Sequence, residues 1–479
     1  MTTATFFWHD YETFGIDPQR DRPCQFAGIR TDADFNIVGE PVMAYCQPAD
    51  DYLPHPEACL ITGITPQLAA ERGVCEAAFA GMINQRLAEP GTCGVGYNSI
   101  RFDDEVTRNL LYRNFYDPYA REWQNGNSRW DIIDVVRAAK ALRPEGIEWP
   151  VNAEGVASFK LEGLTKANGI AHETAHDALS DVYATIAMAK LIKQRQPKLF
   201  DYLQNYRHKS AALKLLQLGS FTPLIHISGR FASRNNHLAV ILPLAAHPSN
   251  SNEIIVYDLL VDPAPLLELS AEDIQQRLFV ASDELPEGVA RIPLKTVHIN
   301  KAPVLAPLSV VRPADAERLQ LDLGLCRANL QLIRAAPPLA EKLSEVFTRQ
   351  YQESPRDPDL MIYSGGFFSN RDKAVMARIR QALPTELSKF DADFDDARLP
   401  EMLFRYRARN YPHTLPPEDA QRWQQYCRAK LNGTAASGAI TLEQFAAKIT
   451  QMREEPGANL AILNELAAYA ADRRLQFPD

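Results

Sequence analysis

Residues 5–15 read TFFWHDYETFG, an apolar and aromatic run that carries two carboxylates, Asp10 and Glu12. The run is typical of a buried β-strand, and alternation along a strand places both acidic side chains on the same face. Two like charges that lose water in this way repel each other, so the pKa of each carboxyl should rise. Two buried carboxylates side by side are energetically unfavourable unless a cation lies between them, so this strand suggests a cation site.

Around this strand, the first part of the chain alternates between strand and helix patterns. Residues 25–48 contain two apolar runs around the turn sequence DADFN, which predicts an antiparallel hairpin. Helical spacing follows in residues 64–73 and 75–89, and TCGVGYN at 92–98 predicts a short strand. Residues 103–195 are mostly helical in pattern. Together these signals predict a mixed α/β sheet.

The pattern changes after this region. Residues 220–312 carry short β-like runs separated by Pro, Asn and Ser, which predicts a small barrel or sandwich. Within it, residues 262–279 predict one inserted helix with Ser270 as an N-cap. Helical patterns dominate from residue 313 onward, and residues 352–359 are predicted to be a linker.

Composition and charge exclude several classes of protein. The chain has 479 residues, 46% hydrophobic and 23% charged, as in a soluble protein of several domains. It has no signal-peptide pattern and no apolar run near the ~20 residues that cross a bilayer, so we expect a cytoplasmic protein without a membrane partner. Its seven cysteines lack a C-x-x-C pair, which favours reduced thiols. The net charge of −9 decides little, because a local basic channel can still bind nucleic acid.

Two later segments offer further acids. In GYNSIRFDDE, residues 96–105, Asp103 opens a predicted helix, where ordinary capping is an equally good interpretation. In residues 171–190, His172 and His176 each precede an aspartate by five positions. We favour the pair His176 and Asp181, since Asp181 lies on an apolar helix face, and we interpret His172 and Asp177 as loop and cap residues.

The chain order of the candidate residues resembles that of the DnaQ-like 3'–5' exonucleases of the DEDDh branch. This order is Asp10 and Glu12 on a first strand, Asp103 at the start of a middle helix, and His176 with Asp181 at a last helix. The resemblance covers residues 5 to 195 and is reinforced by LITGIT at 60–65 and by Asn98 and Phe102. NSRWD, LTKANGI, GFFS and YRARN further resemble the member of this family that is specific for single strands. The resemblance implies a ribonuclease H-like mixed-sheet exonuclease domain, an SH3-like β-rich domain and a C-terminal helical domain. The predicted domain ranges are 1–196, 197–351 and 355–479.

The resemblance also implies a metal site. Asp10, Glu12 and Asp181 would hold one Mg²⁺, and a second ion would rest on Asp10 with help from Asp103. Two such ions about 4 Å apart clamp the attacking and leaving oxygens of a phosphodiester, and Mn²⁺ is a substitute ion. His176 would take the proton from the attacking water.

Arginines interleave with aromatic residues just after the Asp103 helix, a pattern that suits stacked bases and phosphates. Core packing is the competing interpretation of each aromatic residue. From this pattern we predict DNA contacts at Arg108, Tyr119, Trp123 and Arg137, with Lys160 on a phosphate. The resemblance implies further contacts at Glu12, Thr13, Ile64, Asn98 and Phe102. RYRARNYPH at 405–413 is a second basic-aromatic cluster, or else a solvated helix face.

The predicted activity is a Mg²⁺-dependent 3'–5' exodeoxyribonuclease that is specific for single-stranded DNA, acts as a monomer and releases nucleoside 5'-monophosphates. A single-stranded DNA-binding protein is the implied partner, with its acidic tail on Arg143 and Arg312. The alternatives are an enzyme of the same fold that acts on RNA or on a mismatched primer end, a non-catalytic single-strand binder, and a small-molecule metallohydrolase.

Overall fold

The computed structural model describes residues 4–153, 155–172, 177–280, 284–348, 357–433 and 439–478. The strands are β1 (Thr5–Thr13), β2 (Pro23–Thr31), β3 (Val42–Tyr45), β4 (Thr92–Gly96), β5 (Ser128–Asp131), β6 (Leu224–Ile227), β7 (Leu238–Ala246), β8 (Glu253–Asp258), β9 (Leu294–His298) and β10 (Val304–Pro307). The helices up to residue 215 are α1 (Pro56–Thr62), α2 (Pro66–Arg72), α3 (Glu76–Leu87), α4 (Asp103–Arg113), α5 (Ile132–Leu142), α6 (Leu161–Ala167), α7 (Ala178–Arg195), α8 (Pro197–Tyr206) and α9 (Lys209–Leu215). The later helices are α10 (Ala264–Glu268), α11 (Ala271–Leu278), α12 (Pro313–Arg318), α13 (Leu323–Ala335), α14 (Ala340–Phe347), α15 (Asn370–Ile379), α16 (Leu399–Asn410), α17 (Pro417–Leu431), α18 (Leu442–Arg453) and α19 (Leu460–Gln476).

The chain forms two compact units. Unit 1 comprises Met1–Ser128, His172–Tyr183 and Ser354–Asp479, and unit 2 comprises Arg129–Ala171 and Ala184–Glu353. The predicted division at 1–196, 197–351 and 355–479 concerns segments of sequence and stays a prediction.

A mixed sheet lies at the centre of unit 1. Strand β1 pairs antiparallel with β2 and parallel with β4, and β2 pairs antiparallel with β3, so these four strands follow the order β3-β2-β1-β4. The prediction of a mixed α/β sheet is therefore confirmed. The hairpin turn is also where the sequence placed it, because the Asp32 carboxylate accepts hydrogen bonds from the backbone N–H groups of Asp34 (2.8 Å) and Asn36 (2.9 Å).

The C-terminal helices share a hydrophobic core with the N-terminal segment of unit 1. Phe14, Leu53 and Ile64 pack in one cluster with Phe445 of α18 and Leu466 of α19. Leu53 and Ile64 flank the short helix α1, which contacts both α18 and α19. The surroundings of the LITGIT segment thus include residues about 400 positions away along the chain.

The basic cluster at 405–413 is neither a solvated face nor a free cationic surface. Arg409 lies 2.8 Å from Asp51 and 2.6 Å from Asp359, and Lys430 lies 2.8 Å from Asp51. Arg405 and Arg407 on the same helix are also buried and ion-paired. We call Asp51, Asp359, Arg409 and Lys430 the arginine network. Helix α16 presents these guanidinium groups to acids inside unit 1, which a helical pattern alone does not reveal.

Unit 2 contains an antiparallel sheet. Its strands follow the order β10-β6-β7-β8-β9, in agreement with the predicted β-rich region. The prediction of one inserted helix at 262–279 is wrong, because α10 and α11 are separate. Leu269 is extended (ψ 154°), and the Ser270 side chain then caps α11 by accepting a hydrogen bond from the backbone N–H of Asp273, as predicted.

Two predictions about composition can be compared with the structure. Within the described ranges, the seven cysteines form no disulfide with one another, and six of them are buried. None of the described helices is both long enough and apolar enough to span a bilayer.

Candidate metal centre

Strand β1 presents Asp10 and Glu12 on one face, as its alternation predicts. Asp10 lies opposite Ala27 and Glu12 opposite Gln25 on β2, and the register shifts directly after Glu12. Glu12 is buried, with 8% of its surface exposed, and Asp10 is partly exposed. The flanking side chains Phe7, Trp8 and Tyr11 are buried, so the apolar part of the strand fixes the position of the two acids.

Helix α7 brings a third carboxylate to this face. The Gln25 side chain accepts a hydrogen bond from the backbone N–H of Ala178 (3.2 Å), which ties the start of α7 to the residue opposite Glu12. Asp181 lies one turn further along α7. Carboxylate oxygens of Asp10, Glu12 and Asp181 all lie within 4.8 Å of one another. We call these three residues the acidic cluster.

The electrostatics of the acidic cluster are unfavourable without a cation. Burial, with the negative charges of Asp103, Glu12 and Asp181, raises the pKa of Asp10 well above its usual range. Burial and the charge of Asp181 raise the pKa of Glu12 to about 8. A group of oxygen donors that repel one another at this spacing suits a hard divalent cation. The acidic cluster therefore fits a divalent metal ion, because its carboxylate oxygens are the ligands that such an ion prefers.

Asp103 is the first residue of α4, as predicted, and it reaches the same strand. Its carboxylate accepts a hydrogen bond from the backbone N–H of Tyr11, the residue between Asp10 and Glu12, at 3.1 Å. The Thr107 hydroxyl lies 3.0 Å from the Tyr11 hydroxyl and 2.7 Å from the carbonyl oxygen of Asp103. The N-cap of α4 is Phe102, which forms no side-chain cap hydrogen bond, so Asp103 lies in the first turn and its carboxylate contacts β1 beside the acidic cluster.

The two histidines differ in what the structure describes. His176, the predicted proton acceptor, lies outside the described residues. His172, which we interpreted as a loop residue, places its Nε2 atom 2.5 Å from the Asp181 carboxylate and has a side chain only 4% exposed. Sequence analysis missed this contact because both histidines have the same spacing to an aspartate. The contact ties a histidine to a residue of the acidic cluster.

The predicted DNA contacts of unit 1 have varied surroundings. Ile64 is buried, and the Thr13 hydroxyl donates a hydrogen bond to the carbonyl oxygen of Gly15 (2.6 Å). The Arg108 guanidinium is held by Glu122 (2.7 Å) and Glu105 (2.8 Å) and lies 5.2 Å from the centre of the Tyr119 ring.

Three more of these residues lie near the start of α4 or in the segment that follows it. Asn98 has a left-handed backbone (φ 61°), and Phe102 directly precedes α4. Trp123 is 66% exposed, as a base-stacking surface requires. The structure therefore leaves Trp123 available to a ligand, whereas Ile64 and Arg108 are already packed or paired.

The predicted contact residues of unit 2 are described separately. Lys160 is exposed at the start of α6, and Arg137 pairs with Asp134 at 2.7 Å. Arg143 lies 3.3 Å from Asp315, and Arg312 lies 2.7 Å from the same carboxylate. The two predicted partner-binding arginines thus meet at one acid.

Family models match three consecutive segments of the chain. The Exonuclease model matches residues 7–189, the Exonuclease I SH3-like domain matches 207–349, and the Exonuclease I C-terminal domain matches 356–473. The segment with the acidic cluster is thus the one that the exonuclease model covers, which supports dependence on a divalent metal.

Relatives match the chain over its full length. Exodeoxyribonuclease I of Escherichia coli K12 is 49% identical and covers 98% of both chains. Exonuclease I of Methylocaldum szegediense has a solved structure with a TM-score of 0.94 and 52% identity, over 98% of this chain and 99% of that one. E. coli exonuclease I in complex with a dA16 oligonucleotide has a TM-score of 0.94 and 48% identity, over 98% and 100%.

Two further solved structures of similar proteins carry other ligands. One is a zinc-bound E. coli ExoI–ssDNA complex, with a TM-score of 0.93, 47% identity and 98% and 99% coverage. The other is an ExoI/SSB-Ct complex, with a TM-score of 0.91, 47% identity and 98% and 100% coverage. With identity near one half along almost all of its length, this chain belongs to the exodeoxyribonuclease I family.

Proposed function

We propose that the chain hydrolyses single-stranded DNA from the 3' end and releases nucleoside 5'-monophosphates. The observation that carries this proposal is the acidic cluster, which holds three carboxylates together on the segment that matches the exonuclease model. A non-catalytic binder gains nothing from acids that face a phosphate. Relatives bound to oligonucleotides support single-stranded DNA as the substrate.

The proposed cofactor is Mg²⁺, with two ions at the site. Asp10, Glu12 and Asp181 would hold one ion, and Asp10 with Asp103 would hold the other. When bound, such ions activate water and stabilise the charge that develops on a phosphodiester. Oxygen-only donors favour Mg²⁺ or Mn²⁺, and the zinc-bound relative supports a site that accepts divalent ions.

The proton of the attacking water needs an acceptor from the chain. We assign this role to His176, since the imidazole of histidine is the side chain best suited to accept a proton near neutral pH. His172 has a different role in the proposal, because its imidazole contacts the Asp181 carboxylate. A hydrogen bond to one oxygen of an acid orients its other oxygen, so His172 would position Asp181.

The DNA strand is proposed to bind through cations and aromatic rings. Trp123 and Tyr119 would stack on bases, and Thr13 and Ile64 would lie near the terminal nucleotide. Glu12, Asn98, Phe102 and Arg108 complete the proposed contacts of unit 1. Arg137 and Lys160 of unit 2 would bind phosphates. Stacking on an aromatic side chain contributes about 1–3 kcal/mol per base, so Trp123 has the most to offer.

The acidic tail of a single-stranded DNA-binding protein is the proposed protein partner. Arg312 has 44% of its side chain exposed, whereas its partner Asp315 is almost fully buried. The exposed part of this guanidinium would form a charge-assisted hydrogen bond with a carboxylate of the tail. The related ExoI/SSB-Ct complex supports the proposal, with Arg143 as the second cation. In the same scheme, segment 1–196 cuts the strand and segments 197–351 and 355–479 retain it.

The test is a digestion of 5'-labelled single-stranded DNA, with duplex DNA and RNA of the same sequence alongside. We expect a ladder that shortens from the 3' end, only with single-stranded DNA and Mg²⁺. His176→Ala should abolish the ladder, while His172→Ala should weaken it and raise the Mg²⁺ concentration needed. DNA that is bound but uncut by the wild-type protein would overturn the proposal in favour of a binder, and equal cutting of RNA would overturn the substrate.

A further inference from the structure

A short loop of unit 1 carries two exposed aromatic residues. Residues 361–369, with the sequence MIYSGGFFS, form this segment, which we call the aromatic loop. Phe367 is 88% exposed and Tyr363 is 52% exposed. Large aromatic side chains left in water are a feature of binding surfaces, because the exposed apolar area contributes nothing to the folded core.

Arg398 holds the backbone of the aromatic loop. Its guanidinium donates hydrogen bonds to the carbonyl oxygens of Met361 (3.3 Å) and Gly366 (3.1 Å). The Asp396 carboxylate accepts two further bonds from the same guanidinium, at 2.9 and 2.7 Å, which fixes its plane. Arg398 itself is only 7% exposed. One buried side chain therefore joins both ends of the Met361-to-Gly366 stretch, which contains Tyr363.

Packing restricts the loop further. The Arg398 guanidinium lies 4.4 Å from the centre of the Phe368 ring, which in turn stacks on Tyr112 at 5.8 Å. A Cβ atom at Gly365 would lie 1.8 Å from Nη1 of Arg398, so only glycine allows the backbone to come this close. The Arg398 guanidinium therefore fits closely against the loop backbone. A lysine could not replace it, because its ammonium group lacks the planar set of N–H donors that forms these hydrogen bonds.

The held loop contacts the helix that begins with Asp103. The Tyr363 hydroxyl donates a hydrogen bond to the Glu105 carboxylate, and Arg108 donates one to the Tyr363 oxygen at 3.1 Å. The rings of Tyr363 and Tyr119 lie 6.5 Å apart. Tyr363 thus contacts Glu105, Arg108 and Tyr119, and the last two are proposed DNA contacts.

We infer that Arg398 is a positioning residue for single-stranded DNA: it holds the aromatic loop so that Tyr363 and Phe367 extend the Arg108–Tyr119 surface. The inference rests on the proposed function for the identity of the ligand. Among the described residues, the Arg398 guanidinium contacts Tyr112, Met361, Gly366, Phe368 and Asp396, none of which belongs to the acidic cluster. Its loss should therefore weaken binding of the strand and leave the chemical step intact.

The test compares variants from both sides of the contact. Arg398→Lys keeps the charge and loses the fork, and Gly365→Ala displaces the same guanidinium from the loop side. Tyr363→Phe removes only the hydroxyl that meets α4. Arg371→Ala is the matched control, since Arg371 of α15 forms an exposed pair with Asp395. Binding of labelled dT oligonucleotide is measured in EDTA by anisotropy, and KM and kcat are measured with Mg²⁺.

We expect Arg398→Lys and Gly365→Ala to raise both the Kd in EDTA and KM by about tenfold, with kcat within about twofold of wild type. Tyr363→Phe should give a smaller rise in the same direction, and Arg371→Ala should leave all three constants unchanged. Unchanged Kd and KM in the first two variants would overturn the inference, as would a parallel fall in kcat and melting temperature. Wild-type protein that binds the oligonucleotide without cutting it would contradict the proposed function alone, because the Kd comparison does not need cleavage.

Discussion

Unit 1 buries two groups of carboxylates and treats their charge in opposite ways. In the arginine network, burial favours the neutral acid, yet Arg409 and Lys430 hold the pKa of Asp51 well below its usual range. In the acidic cluster, burial and neighbouring acids raise the pKa of Asp10 and Glu12. The protein supplies the cations in the first case. In the second case, the neighbouring charges that raise the pKa of Asp10 and Glu12 are those of other acids, an arrangement that a bound cation would balance.

This difference distinguishes an ion-pair network that stabilises the fold from a site that binds a ligand. A buried acid with its own arginine is satisfied before any ligand arrives, and its removal affects folding. A buried acid beside other acids is unfavourable for folding, and such an arrangement persists where it serves binding or catalysis.

Removal of one acid from the acidic cluster should have the largest effect. Asp181→Asn keeps the shape of the side chain and removes a metal ligand, so kcat on single-stranded DNA should fall about a thousandfold or more. The exposed Asp201, changed to Asn, is the control with the same loss of charge and should digest DNA at the wild-type rate. Activity of Asp181→Asn within tenfold of wild type would show that this acid is not part of the reaction.

Removal of one acid from the arginine network should destabilise the protein instead. Asp51→Asn leaves Arg409 and Lys430 buried without their common partner, which should cost about 3–5 kcal/mol of the free energy of unfolding. The neighbouring Asp50 pairs with Arg473 and has 33% of its side chain exposed, so Asp50→Asn should cost less than about 1 kcal/mol. Urea unfolding measures both values. Equal losses in the two variants would mean that the network has no special weight.

The two groups of carboxylates should also affect the stability of the protein in different ranges of pH and in opposite directions. Because the folded pKa of Glu12 is raised from 4.5 to about 8, the metal-free protein should lose stability as pH rises between these values. Because the folded pKa of Asp51 is lowered, its contribution should be present above pH 3.8 and lost as pH falls below that value.

Melting curves at several pH values, with EDTA and with Mg²⁺, check both windows. Mg²⁺ should abolish the loss of stability between pH 4.5 and 8, because bound metal displaces the protons from the carboxylates. It should not change the loss of stability at acid pH that is assigned to Asp51. A loss of equal size with and without Mg²⁺ would assign it to other groups.

The smallest effect concerns the proposed protein partner. Arg312→Ala removes a half-exposed guanidinium, so the Kd for an acidic tail peptide should rise about tenfold. Digestion of a free oligonucleotide should be unchanged. Lys389, which forms an exposed pair with Glu386, provides a control substitution, Lys389→Ala. A tail peptide that binds Arg312→Ala as tightly as wild type would exclude this arginine from the partner site.

Local patterns predicted the parts of the site that depend on local structure. Alternation along β1 placed Asp10 and Glu12 on one face, and the start of α4 at Asp103 followed from its polar first turn. The break between α10 and α11 was missed, since the same residues suit one continuous amphipathic helix. His172 was missed because two histidines share one spacing to an aspartate, whereas its contact with Asp181 joins residues nine positions apart and depends on the fold.

Contacts between distant segments could not be predicted from the sequence. Arg409 and Asp51 are 358 residues apart, so a basic run on α16 gave no sign that its charges are paired inside unit 1. The role of Arg398 was hidden in the same way, because its loop partners precede it by about 30 residues and no spacing rule connects them.

The most direct test of the central claim is the melting temperature of wild-type protein and Asp181→Asn, each with EDTA and with saturating Mg²⁺. If the acidic cluster is a site that lacks only its cation, Asp181→Asn should melt above wild type in EDTA, since one repulsive charge is gone. Mg²⁺ should then raise the melting temperature of wild type and leave that of the variant almost unchanged. A variant that melts below wild type in EDTA, with an equal Mg²⁺ shift in both proteins, would contradict the account.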